Sequence, residues 1–290
     1  MSQKGGTART IVATTFALVA FAFNSILCRL ALGTGAIDAV SFTVIRLISG
    51  AVILLLLLAA GKQISVRSRG SWRGAAMLFL YAICFSLAYI ELDTATGALI
   101  LFAAVQLTMI AVAMLRGEHL NGLEWAGILI AMGGLVYLLL PGAGAPSISG
   151  FLLMAAAGIA WGFYTLTGRD SIHAMADTSW NFIRTVPLAL GLVFWSLAAG
   201  DWYVTGNGII LAVLSGAIAS GLGYTAWYIA LAGLRISQAA VLQLLVPVIA
   251  AAGGVLIVSE SLSVNLLIAS TIILGGIATV LYGRQKVQPA

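Results

Sequence analysis

The stretch EHLNGLEWAGILIAMGG at residues 118–134 has a second copy, ESLSVNLLIASTIILGG, at residues 260–276, and the relation between the two decides the fold. In each, Glu-x-Leu opens an apolar run and a Gly-Gly pair follows fifteen residues after the glutamate: Glu118 with Gly133-Gly134, and Glu260 with Gly275-Gly276. The copies lie 142 residues apart in a chain of 290. Other matches keep the same order at nearly the same offset. Phe23 to Arg29 aligns with Phe163 to Arg169 at 140, and Tyr89-Ile90 with Tyr228-Ile229 at 139. Ile45-Arg46 aligns with Ile183-Arg184 at 138, with Phe42 and Trp180 four residues before each arginine. Leu and Gly pairs are cheap in this composition, but four ordered anchors within a drift of four residues indicate a duplication.

Outward from these anchors the chain is apolar almost throughout. Hydrophobic residues make up 61% of it and charged residues 8%, against roughly 25% charge in a soluble domain. Apolar runs of about 20 residues, each able to cross ~30 Å of hydrocarbon as a helix, fall roughly at 10–32, 38–60, 73–92, 96–115, 122–140, 149–168, 179–199, 208–231, 236–258 and 264–283. The runs are continuous, which points to helices rather than the alternating strands of a barrel. The fold class expected is therefore an all-α integral membrane protein of ten transmembrane helices. The first span is too long for a signal-peptide core and has no A-x-A pattern after it, so it is expected to stay in the mature protein. Cys28 and Cys84, the only cysteines, both fall inside spans, which leaves no disulfide framework and no thiolate metal site.

Taken alternately, one set of connections and tails holds Lys4, Arg9, Lys62, Arg67, Arg69, Arg73, Arg116, Arg169, Arg235, Arg284 and Lys286, and the other only Arg29. The positive-inside rule makes the first set cytoplasmic, with both termini inside. Asp38, Glu91, Asp93, Asp201 and Glu260 fall on the opposite side. The basic run from Lys62 to Arg73 reads as a topogenic loop, with lipid recognition as the other reading.

Each copy holds five spans, and an odd number inverts the second copy in the membrane. The organisation expected is a first five-helix repeat over 1–145 and a second, inverted one over 146–290, integrated into one fold. Two such halves can expose a central site to either side in turn, the usual construction of secondary transporters.

On these motifs the chain resembles the drug/metabolite transporter superfamily, its ten-helix EamA type, and within that the YddG-like amino-acid exporters. The resemblance covers essentially the whole chain. It rests on the two E-x-L starts, the Gly-Gly pairs, Arg46 and Arg184, Trp161-Gly162-Phe163-Tyr164 at the opening of the second copy, and Pro247 thirteen residues before Glu260. The first copy departs from this pattern, with Val105-Gln106 where the proline would fall and Asn24 where the second has Tyr164. The resemblance implies an exporter of small metabolites in the cytoplasmic membrane, with aromatic or other neutral amino acids and organic cations among the substrates of relatives. It also implies a cavity formed by the first, third and fourth helices of each repeat.

Those helices carry a polar and aromatic set in otherwise apolar runs: Asn24, Tyr81, Ser86, Tyr89, Gln106, Trp161, Tyr164, Ser220, Tyr224, Tyr228, Gln238 and Gln243. Amides and hydroxyls suit the charged groups of a small zwitterion, and aromatic faces accept a ring or a cation. Interhelical hydrogen bonding explains the same Asn and Gln residues, at ~0.6 kcal/mol on average. Trp72, Trp125, Trp202, Tyr203 and Tyr282 sit near span ends as interfacial belt residues. Arg46 and Arg184 lie well inside spans and either contact substrate or a gate, or bind carbonyls and hold each repeat together. Glu118 and Glu260 suit the positive end of the helix each precedes, as caps or as gates. Gly133-Gly134, Gly253-Gly254, Gly275-Gly276, Gly216, Gly221 and Gly223 read as close-approach positions, and with Pro247 as hinges.

Coupling is read from the acids. None falls clearly at a midplane, Glu91 and Asp93 sit at an outer span end, and His119 and His173 are in cytoplasmic loops. Facilitated export is favoured over proton antiport. A membrane enzyme would need clustered His, Asp or Cys at a membrane surface, and His173 with Asp177 is the one pair available. There is no Walker-type motif for ATP-driven pumping. No cofactor or metal is expected. The partners are the bilayer and a small-molecule substrate, without nucleic acid and without a required oligomer.

Overall fold

In a computed structural model of the chain, the structure describes residues 2–61, 70–117, 119–140, 145–169, 173–200, 202–231, 234 and 242–287. They form ten helices: α1 (Ser2–Gly33), α2 (Ala39–Ala60), α3 (Trp72–Glu91), α4 (Thr94–Leu115), α5 (Gly122–Leu139), α6 (Ile148–Arg169), α7 (Ala174–Ala199), α8 (Gly206–Leu231), α9 (Leu245–Val258) and α10 (Val264–Val287). Among the described residues nine are long and apolar enough to cross a bilayer, and α9 is a shorter apolar helix. The chain is an all-α multi-pass membrane protein. Helix α7 begins at Ala174, five residues before the apolar run read from the sequence, because Asp177 and Thr178 interrupt the hydropathy but not the helix. Hydropathy registers the membrane, not the end of the helix.

Connections expected on the same membrane face meet one another. At one end Asp38 caps α2 by accepting from Ser41 N–H at 2.8 Å, and its other oxygen accepts from Tyr203 N–H at 3.0 Å, just before α8. Ile37 and Val204 form a short antiparallel bridge there, and the Ser149 hydroxyl donates to Glu91 at 2.6 Å. At the other end Asp177 on α7 accepts from Gly70 N–H at 2.7 Å, and Asn181 from Ser71 N–H at 2.8 Å, just before α3. Asp177 is thereby part of the scaffold that fixes α3 to α7. Trp72, Trp125 and Tyr282 at this end, and Trp202 and Tyr203 at the other, are exposed, as belt residues should be.

Helices α5 and α10, which carry the duplicated motif, pack on each other. A Cβ on Gly276 would stand 2.5 Å from Ala131 N and 2.7 Å from Gly127 O, and one on Gly134 would meet Ile273 at 2.7 Å. Close approach therefore belongs to Gly127, Gly134 and Gly276. Gly133 and Gly275 face open space, which corrects the reading of both as packing positions: one residue on turns a helical side chain by about 100°, so only one glycine of each pair points at the partner.

The capping reading of Glu260 is corrected as well. Helix α5 is capped by Asn121, with Glu124 completing a capping box, and Ser263 accepts from Leu266 N–H at the start of α10. Each cap lies three residues beyond its glutamate. Glu118 lies outside the described residues.

Two features position the centre. In α8 the segment Leu214–Leu222 is a π-helix, whose i→i+5 bonds bring residues five apart onto one face, so Ser215 and Ser220 both point inward. It packs closely on α2, where a Cβ on Gly216 would stand 2.1 Å from Arg46 O. Before α9, the helix breaks at Leu244, because Pro247 has no N–H for the Gln243 carbonyl and its ring crowds that oxygen.

Candidate functional site

Where α1, α3, α6 and α8 converge, aromatic rings close around one point. Trp161 of α6 lies between Tyr81 of α3 and Tyr224 of α8, with ring centroids 4.8 Å away on each side and both planes tilted by 45°. Phe21 of α1 meets Trp161, Tyr224 and Trp227 edge-on at 6.4, 5.9 and 5.7 Å. Such pairs each contribute about 0.5–1.5 kcal/mol beyond area burial. The space left is lined by Phe21, Asn24, Tyr81, Phe85, Leu101, Phe102, Trp161 and Tyr224, and measures about 20 Å³, room for about one water. The space is too small for a metabolite, which enters only if these helices separate.

A polar chain runs along the chamber wall. Ser215 donates to Asn24 Oδ1 at 2.6 Å, Asn24 Nδ2 donates to Tyr81 Oη at 3.1 Å, and Arg46 Nη2 donates to the same oxygen at 2.9 Å. Arg46 Nε reaches Ser220 Oγ at 3.4 Å. Four helices are thus joined through side chains that an all-apolar centre would lack. Arg46 is 1% exposed, and its guanidinium lies 5.0 Å over each of the Tyr81 and Phe85 rings. Among the described residues no carboxylate pairs with it, and its Nη1 has no hydrogen-bond partner. An arginine at mid-depth costs ~2.5–3.5 kcal/mol on insertion scales, so a residue this poorly compensated stands out from the packing around it.

The remaining expected residues divide. Asn24, Tyr81, Trp161 and Tyr224 line the chamber, and Ser220 touches it through Arg46. Tyr164 stacks on Trp161 at 5.4 Å and donates to Thr178 at 3.4 Å, towards the end with the termini. Tyr228 lies beyond it, its hydroxyl against Gly168. Ser86 accepts from Thr43 at 2.8 Å and donates to Ala82 O, joining α2 to α3 away from the cavity. Tyr89 is buried on Gly97, near the opposite end. Gln106 is 2% exposed with an unpartnered Nε2, and Gln243 is buried just before α9. Gln238 falls outside the described residues. Arg184 is half-buried, donates to its own Trp180 O at 3.4 Å and lies 5.9 Å from the Trp72 ring. It does not mirror Arg46.

One cluster was not legible from the sequence. Arg29 on α1 donates to Glu260 at 3.1 Å through Nε, to Asp93 at 3.1 Å through Nη2, and to the carbonyls of Tyr89 and Ile90 at 3.2 Å through Nη1. Both Glu260 oxygens accept from Thr94 N–H, at 3.1 and 2.9 Å. Glu260 therefore caps α4, not its own α10. Gly254 allows this, since a Cβ there would stand 2.6 Å from Glu260 Oε2, and Ser259 turns the chain back at φ +62°. The cluster ties α1 and α4 to the α9–α10 connection.

Comparison with known proteins accords with this arrangement. Residues 148–282, from the start of α6 into α10, match the EamA-like transporter family. An uncharacterized protein of Pseudomonas aeruginosa is 50% identical over 276 residues, 95% of this chain and 96% of that one. A solved crystal structure shares the fold over 94% of this chain and 99% of its own, with a TM-score of 0.65 at 22% identity. With ten apolar helices closing on a central aromatic chamber, and with that match, the second half of the chain is an EamA-like transporter domain.

Proposed function

We propose that the protein exports small metabolites across the cytoplasmic membrane, with aromatic or other neutral amino acids as substrates, by alternating access between two inverted five-helix halves. The chamber carries this reading: a small space lined by aromatic rings, an amide and two tyrosines, contributed by α1, α3 and α4 from one half and α6 and α8 from the other. Pairing between the halves supports the inversion. Helix α3 packs on α6 as α1 does on α8, α4 on α6 as α1 does on α9, while α2 meets α7, α4 meets α9 and α5 meets α10. Both termini lie inside, on the side of the basic loops, and the Arg29–Glu260–Asp93 cluster is the outer gate. Substrate leaves when that gate parts and the chamber opens outward.

Transport is facilitated rather than coupled to protons, since the described acids sit at helix ends and not along the chamber. The competing reading is a proton-coupled antiporter of drugs or organic cations, favoured by the Trp161, Tyr81 and Tyr224 faces and opposed by the positive Arg46 behind them. Counterflow in proteoliposomes across a panel of neutral amino acids, with and without a pH gradient, decides. Exchange of aromatic members without the gradient is expected. No exchange of any member would sink the amino-acid assignment, stimulation by the gradient would overturn facilitation, and exchange of cations alone would establish the competitor.

A further inference from the structure

Directly behind Tyr81 of the chamber wall stands a buried positive charge, with donors that face too few acceptors. The Arg46 guanidinium is bonded only to neutral oxygens, those of Tyr81 and Ser220, so nothing on the wall cancels its charge. Its Nη1 is unpartnered, and so is the buried hydroxyl of Tyr224, one turn beyond Ser220 on α8. The Tyr81 oxygen accepts from both Asn24 Nδ2 and Arg46 Nη2. It stands where an acceptor with a full negative charge would make both bonds stronger. No residue lining the chamber offers the converse, a carboxylate able to receive an ammonium. The Asn24 carbonyl already accepts from Ser215, and only ring faces remain for a cation.

We infer that this chamber selects its ligand by a carboxylate, and that the class it holds best is an aromatic monocarboxylate of net charge −1, with the carboxylate on Arg46 and the ring beside Trp161. The inference rests on the transport reading for the site's use and ranks the acid without an ammonium above the amino acid. The carboxylate displaces the Tyr81 oxygen, takes the Arg46 donors including Nη1, and gives the Tyr224 hydroxyl an acceptor. Net charge in the site falls to zero, which favours burial in a low-dielectric centre. A zwitterionic amino acid brings the same carboxylate but also an ammonium with no anionic partner, and ranks second. An aromatic amine meets Arg46 as a like charge and ranks last. Arg184, half-buried and bonded to its own helix, takes no part.

The test uses the purified full chain in detergent, read by thermal unfolding and by titration, with four ligands of one ring size: 3-phenylpropanoate, its amide, L-phenylalanine and 2-phenylethylamine. The expected result is 3-phenylpropanoate binding at least tenfold tighter than the amide and the amine, with phenylalanine between. An acid-to-amide ratio below tenfold overturns the inference, as does the amine binding tightest or none of the four binding. In Arg46→Gln the ratio should fall to near one, and in Arg46→Lys only partly, because the charge stays while the fork is lost. A folded Arg46→Gln that keeps the wild-type ratio overturns the inference. Should that variant not fold, Tyr224→Phe carries the same comparison, with a several-fold lower ratio expected and an unchanged one overturning it. Failure of the transport reading is distinguishable: acid-selective binding without counterflow sinks transport alone, while counterflow of phenylalanine with an acid-to-amide ratio near one sinks this inference alone.

Discussion

The two halves agree at the periphery and part company at the centre. Asp38, at the start of α2, accepts a backbone N–H just before α8; Asp177, in the first turn of α7, accepts one just before α3. Gly134 and Gly276 each seat their helix on the other's partner. Around the chamber Tyr81 and Tyr224 flank Trp161 at the same distance and tilt. Yet Asn24 faces the chamber where the second half has Tyr164 stacked away from it, and Arg46 is buried behind the chamber's Tyr81, bonded to its hydroxyl, where Arg184 lies against Trp72. At the periphery the features kept in both halves make helix-to-helix joints, while Asn24 and Arg46, kept in one half only, lie in or behind the chamber wall. On the proposed transport reading this is where one ligand would break the two-fold relation.

The strongest way to break this comparison is at the α5–α10 seam. Gly276→Leu places a side chain 2.5 Å from the Ala131 backbone, which must push the helices apart, at a cost of about 3 kcal/mol or more. Gly275→Leu enters open space and should stay within about 0.5 kcal/mol of the parent. Apparent Tm in detergent reads both, and Gly276→Ala supplies a graded step if the leucine variant does not accumulate. Equal losses at 275 and 276 would mean that the seam is not the joint described.

The seam also shows what a sequence reveals. Ten spans were legible because hydropathy is a local signal long enough to average out error, and the Glu-x-Leu and Gly-Gly anchors because they are rare against a background of Leu and Ala. Asn24, Tyr81, Trp161 and Tyr224 stood out as polar or aromatic side chains in apolar runs. Phe21, Phe85, Leu101 and Phe102, which line the same space, did not, since an apolar residue among apolar residues carries no contrast. Ser215 was missed because α-helical spacing puts it on a different face from Ser220, and only the π segment aligns them. Arg46 and Arg184 looked equivalent because alignment reports position, not side-chain direction. The Arg29–Glu260 pair joins residues 231 apart, a distance at which nothing local hints at contact.

A sharper probe concerns that pair. With side-chain exposures of 19% and 10% for Arg29 and Glu260, its net contribution is discounted for solvent, but truncating one partner also weakens the cap on Thr94. Glu260→Gln is expected to cost about 1–2 kcal/mol and to loosen the closed end. Cys28, buried one residue before Arg29, reports it in a Cys84→Ser background: a membrane-impermeant maleimide added outside should label it several-fold faster in the variant. Labelling at the parental rate would show that another contact holds this end shut, and faster labelling only from the inside would reverse the proposed orientation.

The smallest effect tests the symmetry most directly. Asp38→Ala removes a helix cap and one bond across to Tyr203; Asp177→Ala removes the bond to Gly70. Loss of an N-cap costs typically ~1 kcal/mol and a net hydrogen bond about as much or less, so each substitution should lower the apparent Tm by a few degrees, Asp38 slightly more. If both brackets serve only as joints, neither should alter the ratio of acid to amide binding at the chamber, although α2 carries Arg46 against Tyr81 and α7 packs Phe182 on Tyr224. A change in that ratio from either variant, at equal loss of stability, would mean that the peripheral joints set the chamber's shape as well as the bundle's, and that the division between symmetric scaffold and asymmetric site is not clean.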